Sequence, residues 1–501
     1  MLEFCGYNKN VQFDTKSRYQ MSSSVLSLVI DNTVNEPKYL QLQRQIEQLI
    51  QVGRLLPEEK IPSSRALTKE LGISRTSVLK AIDNLIAEGV LVSFAKKGVY
   101  VARFQPRVDS IKTEPQNKYC KDAQTQHLAF DSGADVDAFP KLQWAKCLKK
   151  AWVTLPNEFM EGGYQSGIPE LKQQICEYLR QLRGLDCEPG QIIVTAGSRD
   201  ALSIITNALL NKANNRVWLE QACYPQIPKL MQLLQADIQS LPIDNEGGQL
   251  PRSESLHNQT PGGIAILTPC RQYPLGVAMS GMRRQQWLDW ALNSANNAPN
   301  WIVEDDYDNE FVYQGRVNVP LMQQDNSERV FFVGSFSKVL FRGLRLGFVV
   351  SPMSMSEEIQ NSQRSLGASS SVAMQPALVE FMRNGSFVSH LRKMRRHYVL
   401  KRDLIIRLLR PVAEFYDWQN VSGGMHVCVL LKPQYTKREQ AIFELARSQG
   451  VALNCLSSHY IAHPQRAGFI LGFTKLSTEQ LEQKMEIFID ATNQVCHSDL
   501  C

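Results

Sequence analysis

The sequence predicts an α/β protein in two parts: a small helical head closed by a hairpin, and a large domain on a mostly parallel sheet with a smaller C-terminal lobe. Three observations carry this. Three amphipathic helical patterns and a hairpin signal fill residues 37–103. A polar stretch with Pro106 and Pro115 then breaks all periodicity over 104–126, as a linker does. From His127 to about residue 497, short continuous apolar runs alternate with helical patterns, as expected for strands covered on both faces. At 501 residues the chain has room for such a pair of domains.

Residues 1–36 precede the first pattern and are expected to be a tail. Residues 1–20 are polar, and the apolar run Val25–Ile30 is too short for a leader or a membrane span, so neither is predicted. The first helix is expected from about Lys38 to Val52, with Leu42, Ile46, Leu49 and Ile50 on one face. A second runs from Ser64 to Leu71 and stops at Gly72; a third is capped by Ser74 and buries Val78, Ala81, Ile82 and Leu85. Its opposite face offers Arg75, Thr76 and Lys80. Val90–Phe94 and Val99–Ala102 then read as strands around the basic turn Ala95-Lys96-Lys97-Gly98. Together these make a winged helix-turn-helix.

In the large domain the expected strands are Ile192–Thr195, Val217–Glu220, Ile264–Thr268, Ile302–Glu304, Val330–Val333 and Gly347–Val350. Apolar segments at Gly423–Leu431 and Phe469–Phe473 mark the smaller lobe.

Charge points to a partner for the head. From Pro37 to Arg103 there are 11 Lys plus Arg against 6 Asp plus Glu, an excess of 5, whereas the whole chain carries only +6. Most of the surplus thus lies where a nucleic acid would be met. Short polar and basic side chains at the N-terminus of the third helix, Ser74-Arg75-Thr76-Ser77, suit base edges, while Arg65 suits the phosphate backbone and Gly98 lets the wing tip approach closely. A helical docking domain with ordinary surface charge is the competing reading. The eleven cysteines contain no C-x-x-C pair, which argues against a disulfide framework or a zinc site and for a reducing cytoplasm.

The second set of candidates surrounds Lys338. It lies in Gly334-Ser335-Phe336-Ser337-Lys338 at the end of an apolar run, with Arg345 seven residues on. A lysine so placed condenses with an aldehyde, while Ser335, Ser337 and Arg345 hold a phosphate. The alternative is a solvated loop lysine. Gly197 and Ser198, between a strand and a helix, form a phosphate seat. Tyr224 suits the face of a flat ring. Glu304-Asp305-Asp306-Tyr307-Asp308 places carboxylates at the end of a buried strand, an expensive arrangement without a positive partner. A protonated pyridine nitrogen on Asp305, with Tyr307 bonding the ring's phenolic oxygen, satisfies that need. A metal is the competing partner, but no nearby histidine or spaced carboxylate completes a coordination set.

These residues carry two resemblances. Gly53-Arg54-Leu55, Pro62-Ser63-Ser64-Arg65 and Leu71-Gly72-Ile73-Ser74-Arg75-Thr76-Ser77-Val78 resemble the winged helix of the GntR regulators, which implies that Arg65, Arg75, Thr76 and Gly98 contact operator DNA. The elements around Lys338 look like fold-type I aminotransferases that use pyridoxal 5′-phosphate, over about residues 127–495. The combination is similar to the MocR regulators. It implies a cytoplasmic, head-to-tail homodimer that binds double-stranded operator DNA and senses pyridoxal 5′-phosphate or an amine that reacts with it. Three departures stand out: Arg271 before Gln272-Tyr273-Pro274, Arg199-Asp200 after the phosphate seat, and a shortened Tyr164-Gln165-Ser166-Gly167. The stretch Leu456–Tyr460 also lacks the arginine with which aminotransferases clamp a carboxylate, so regulation without physiological turnover is expected. The alternative is an active aminotransferase with an accessory DNA-binding module; a cofactor-free DNA-binding protein is a third.

Overall fold

The structure is a computed structural model that describes residues 28–31, 36–103, 128–210, 215–251, 263–293, 299–315, 317–368, 370–419 and 422–498. It divides into two compact units, Met1–Lys121 and Asp122–Cys501. The expected linker over 104–126, and most of the tail over 1–36, lie outside the described residues.

In the first unit, helices span Lys38–Gln51, Ser64–Leu71 and Arg75–Ala87. Ser63 and Ser74 cap the second and third by accepting the N–H groups of Ala66 and Ser77, and Gly72 ends the second with a left-handed φ of 64°. Caps of this kind satisfy donors that a helix start leaves without partners. The predicted apolar faces meet in one core, closed by Leu91 and Val101 from the hairpin. Its strands Leu91–Phe94 and Gly98–Val101 pair antiparallel, Phe94 opposite Gly98.

The second unit is built on a seven-stranded sheet. In spatial order its strands are Ile192–Thr195, Gly347–Val350, Val330–Ser335, Trp301–Asp306, Gly263–Leu267, Arg216–Glu220 and Asp237–Leu241. Every neighbouring pair is parallel except those made by Gly347–Val350, which runs against both its neighbours. Asp237–Leu241 was not anticipated. It is an edge strand with exposed Asp237 and Ser240, so its sequence lacks the continuous apolar run that marks the central strands. The C-terminal lobe holds a three-stranded antiparallel sheet of Tyr416–Trp418, His426–Leu431 and Gly468–Gly472. Among the described residues no helix is long and apolar enough to cross a membrane.

Two glycines let the sheet close where it matters. A Cβ on Gly334 would sit 2.3 Å from the Phe348 ring, and one on Gly347 would sit 2.9 Å from the Gly197 Cα. The second contact brings the turn after Ile192–Thr195 against the end of Val330–Ser335. The Phe130–Asp135 segment is pinned beside it. Asp135 accepts Lys401 Nζ at 2.8 Å and pairs with His397 Nε2 at 3.1 Å, and Lys401 also donates to the Thr474 carbonyl. Lys401 lies on the long helix Ser386–Leu408, where its side chain is 1% exposed.

Burial pushes the Asp135 carboxyl up, but Lys401, the Ala138 N–H and His397 outweigh this and leave it below its ordinary value. A depressed carboxyl stabilises the fold above its unfolded pKa of about 3.9 and loses that contribution as pH falls through the folded value. Lys401→Met strands the buried carboxylate and should cost about 3–5 kcal/mol at pH 7. The check is the urea midpoint, and the gap between variant and parent should narrow below about pH 4 as Asp135 takes up a proton.

Candidate cofactor site and nucleic-acid face

Lys338 lies in the turn that follows Val330–Ser335, at the carboxyl end of a strand that pairs parallel with Trp301–Asp306. This is where open α/β sheets bind ligands. Its Nζ donates to the Ser132 carbonyl at 3.0 Å and lies 3.3 Å from the Ser132 hydroxyl. Burial pushes the amine below its ordinary value, the Arg342 guanidinium adds to this, and Asp308, Asp131 and Asp305 oppose it. A lowered value favours the neutral, nucleophilic amine.

The carboxylate run separates by partner. Asp306 forms a buried ion pair with Arg183, Nη2 to Oδ2 2.6 Å. Glu304 accepts the Met322 N–H at 3.1 Å, and burial and Asp306 raise it to about 7. Asp308 accepts the Met425 N–H and faces Arg271 at 3.4 Å. Glu310 takes the Tyr178 hydroxyl. Asp305 makes no hydrogen bond or ion pair to any described residue; burial and then Asp306 push it up to about 7, with Lys338 opposing. Two positions on, the Tyr307 hydroxyl is buried without a hydrogen-bond partner. A buried hydroxyl left this way costs about 1–3 kcal/mol, so Tyr307 offers a donor whose partner the described residues do not supply, beside the half-buried carboxyl of Asp305.

The remaining predicted residues converge on the same end of the sheet. Ser335 is paired with Gly347, which is paired with Thr195, and the Gly347–Gly197 contact sets the helix Ser198–Leu209 at this edge. Gly197 has φ 107°, a conformation open to glycine. The first-turn N–H groups of that helix have no intrahelical acceptors. Ser335 Oγ accepts the Ser337 N–H at 3.3 Å. Arg345 stands in a left-handed conformation at φ 48°, exposed, with no side-chain hydrogen bond or ion pair among the described residues. Tyr224 is 45% exposed and meets the edge of Tyr273 at 6.1 Å, and Tyr273 in turn meets Tyr307 at 5.4 Å. An aromatic chain therefore links Tyr224 to the strand end that carries Asp305.

Several contributors had no local signature. Ser132 reaches Lys338 from 206 residues away in sequence. Arg342 pairs with Asp131, and Asp200 accepts the Ala196 N–H at 2.8 Å, taking up one donor beside the phosphate seat. Arg271, which departs from the resembled pattern, packs against Gly423 and Gly424 rather than opening to solvent. Tyr164 has φ 64° and bonds its hydroxyl to Glu158 at 3.1 Å. At the Leu456–Tyr460 segment, His459 Nε2 lies 3.3 Å from the Tyr273 hydroxyl, and burial lowers His459 to about 4, so it is neutral at pH 7.

On the head, Arg65, Arg75 and Thr76 are exposed at the N-terminal ends of the second and third helices. Lys80 is exposed on the outer face of the third helix as expected, and its ammonium also sits 4.0 Å over the Tyr39 ring. Gly98 has φ 114° and closes the hairpin beneath Lys60, whose side chain a Cβ would meet at 2.8 Å. Turn geometry therefore already requires glycine there, whatever approaches from outside.

Comparison with known proteins agrees with this arrangement. Residues 38–101 match the bacterial regulatory proteins of the gntR family, and residues 136–485 match aminotransferase class I and II, a family that works with pyridoxal 5′-phosphate. A probable rhizopine catabolism regulatory protein, MocR, of Rhizobium meliloti is 30% identical, with 91% of this chain and 94% of the relative covered. The HTH-type pyridoxine biosynthesis transcriptional regulator PdxR of Corynebacterium glutamicum is 28% identical over 90% and 95% of the two chains. Among solved structures, an archaeal alanine:glyoxylate aminotransferase superposes with a TM-score of 0.66 at 21% identity, covering 87% of this chain and 96% of its own, a likeness of fold. This chain belongs to the MocR-type regulators, in which a gntR-family winged helix is joined to an aminotransferase class I and II domain.

Proposed function

We propose that this regulator holds pyridoxal 5′-phosphate at Lys338 and that its winged helix reads operator DNA in a way that depends on the cofactor or on an amine reacting with it. The observation that carries the reading is the buried Tyr307 hydroxyl without a hydrogen-bond partner, next to the unpaired, half-buried Asp305 carboxyl and the half-buried Lys338 amine, whose pKa is lowered. Bound there, the cofactor supplies an aldehyde and an electron-withdrawing ring. Lys338 holds it covalently, and Ser132 orients the amine. Asp305 keeps the ring nitrogen protonated, and Tyr307 donates to the phenolic oxygen. Gly197 and Ser198 offer backbone N–H groups, Ser335 and Ser337 hydroxyls and Arg345 a guanidinium to the phosphate. Tyr224 lies over the ring.

On the head, Arg75 and Thr76 are assigned to base edges and Arg65 to the backbone, with Gly98 at the wing tip. Two heads on a head-to-tail homodimer in the cytoplasm suit paired half-sites. An effector changes DNA affinity only by binding one arrangement of the two units better than another. The absence of an arginine from Leu456–Tyr460 favours sensing over turnover of ordinary α-amino acids. An active aminotransferase is the second reading, and sustained amino transfer to several 2-oxo acids would favour it.

Asp305→Asn should move two measurements in opposite directions. A carboxyl raised to about 7 destabilises the cofactor-free fold above its unfolded pKa, so the neutral amide should raise the melting temperature at pH 8. The same change should weaken cofactor uptake by about tenfold or more, equivalent to about 1.4 kcal/mol. It should also remove the part of the affinity that the parent loses as pH falls through about 7. A spectroscopic titration with pyridoxal 5′-phosphate reads both effects.

Arg75→Ala should cost about 1–3 kcal/mol on a cognate operator, with little loss on unrelated DNA, if the side chain makes a bidentate base contact. A uniform loss across sequences, with the salt slope reduced by about one, would make Arg75 a phosphate contact instead. Operator mapping with and without pyridoxal 5′-phosphate tests the regulatory reading itself.

A further inference from the structure

Cys176 and Cys187 stand apart from the other cysteines. Their sulfurs are 3.6 Å apart, the one cysteine pair in contact among the described residues. Cys147, Cys223, Cys270, Cys428 and Cys496 are buried, whereas Cys176, Cys187 and Cys455 are half-buried. The geometry comes from a chain reversal. Cys176 lies on the helix Pro169–Arg183, which Gly184 ends in a left-handed conformation at φ 65°, and the chain then folds back so that Cys187 reaches Cys176. Exposed Asp186, Glu188 and Pro189 flank Cys187, and neither cysteine of the pair is fully buried.

We infer that Cys176 and Cys187 form a reversible dithiol–disulfide site that reacts with low-molecular-weight disulfides. The sulfurs need approach only from 3.6 Å to about 2.05 Å, and one of them lies on the loop rather than the helix. The two partners are unequal. The Cys187 thiol donates its hydrogen bond to Cys176, which lowers the Cys176 pKa despite burial, with Arg180 adding to the effect. The same contact and burial push Cys187 far up. Cys176, fixed on the helix with Arg180 one turn further on, is assigned as the attacking sulfur, and Cys187, on the loop, as the resolving one.

The exchange balances in two steps. The Cys176 thiolate attacks one sulfur of the oxidant's S–S bond and expels the other half as a thiolate. Cys187 then loses its proton to solvent and attacks the Cys176 sulfur, expelling the second half. One S–S bond forms and one breaks; two electrons pass from the protein to the oxidant, which leaves as two thiols after taking up two protons. The ring closed in this way spans residues 176–187 and contains Arg183, the partner of Asp306. The inference does not depend on the cofactor reading.

The test uses the full chain, equilibrated in glutathione buffers from reducing to oxidising, quenched in acid, alkylated and digested with trypsin. Peptides 173–180 and 184–199 should appear joined, lighter than their sum by two hydrogens, under oxidising ratios, and should separate on return to reducing ones. In Cys187→Ser the link should give way to glutathione held on Cys176, while Cys176→Ser should leave Cys187 largely unmodified. Full alkylation of both thiols at every ratio would overturn the inference, as would a link that forms only after the chain is unfolded in urea. Glutathione accumulating on Cys187 in Cys176→Ser as fast as on Cys176 in Cys187→Ser would overturn the division of roles.

Discussion

Five acidic side chains crowd the end of one buried strand and the turn that follows it, and a charge in that setting persists only when something meets it. The protein meets most of them itself: Arg183 for Asp306, Arg271 and a backbone N–H for Asp308, a backbone N–H for Glu304, a tyrosine hydroxyl for Glu310. Asp305 is left over, on the side of the strand that shares its electrostatics with Lys338. A half-buried carboxyl without an ion pair, raised toward neutrality beside a lysine, makes this strand end a candidate ligand site. The surrounding architecture serves this one position. The glycines at 334 and 347 close the sheet edge, and the Asp135–Lys401 pair holds the Ser132 segment against the amine.

A covalent hold on a small aldehyde gives a regulator two useful properties. Occupancy depends on the free aldehyde, and any primary amine competes for it with Lys338 at the same carbon. The winged helix gains from this only through linkage, because a ligand shifts an equilibrium by no more than its differential affinity for the two states. At Leu456–Tyr460 the neutral His459 meets the Tyr273 hydroxyl, and Arg466 lies close enough to act on Tyr460.

Most of the fold was legible from periodicity, because the central strands and head helices carry their burial in local pattern. Ser64–Leu71 and Arg75–Ala87 begin at the serine caps and stop where glycine or exposed polar residues take over. Asp237–Leu241 escaped because an edge strand needs no continuous apolar run. The site was legible only in part. Lys338, Asp305 and Tyr307 sit in short segments whose residue types demand explanation on their own. Ser132, Arg342 and the Gly347–Gly197 approach reach the candidate site only through contacts between distant segments, and nothing in their neighbours announces this. The Cys176–Cys187 approach was hidden for the same reason, since their spacing resembles no motif and only the turn at Gly184 brings them together.

The central claim is that Lys338 is the residue that takes up the cofactor. Incubation of the purified chain with pyridoxal 5′-phosphate, reduction with borohydride and peptide mapping test it most directly. The account predicts a single modified lysine, in the peptide that contains Lys338, at one equivalent per chain. Label spread over surface lysines, or none at Lys338, would contradict it.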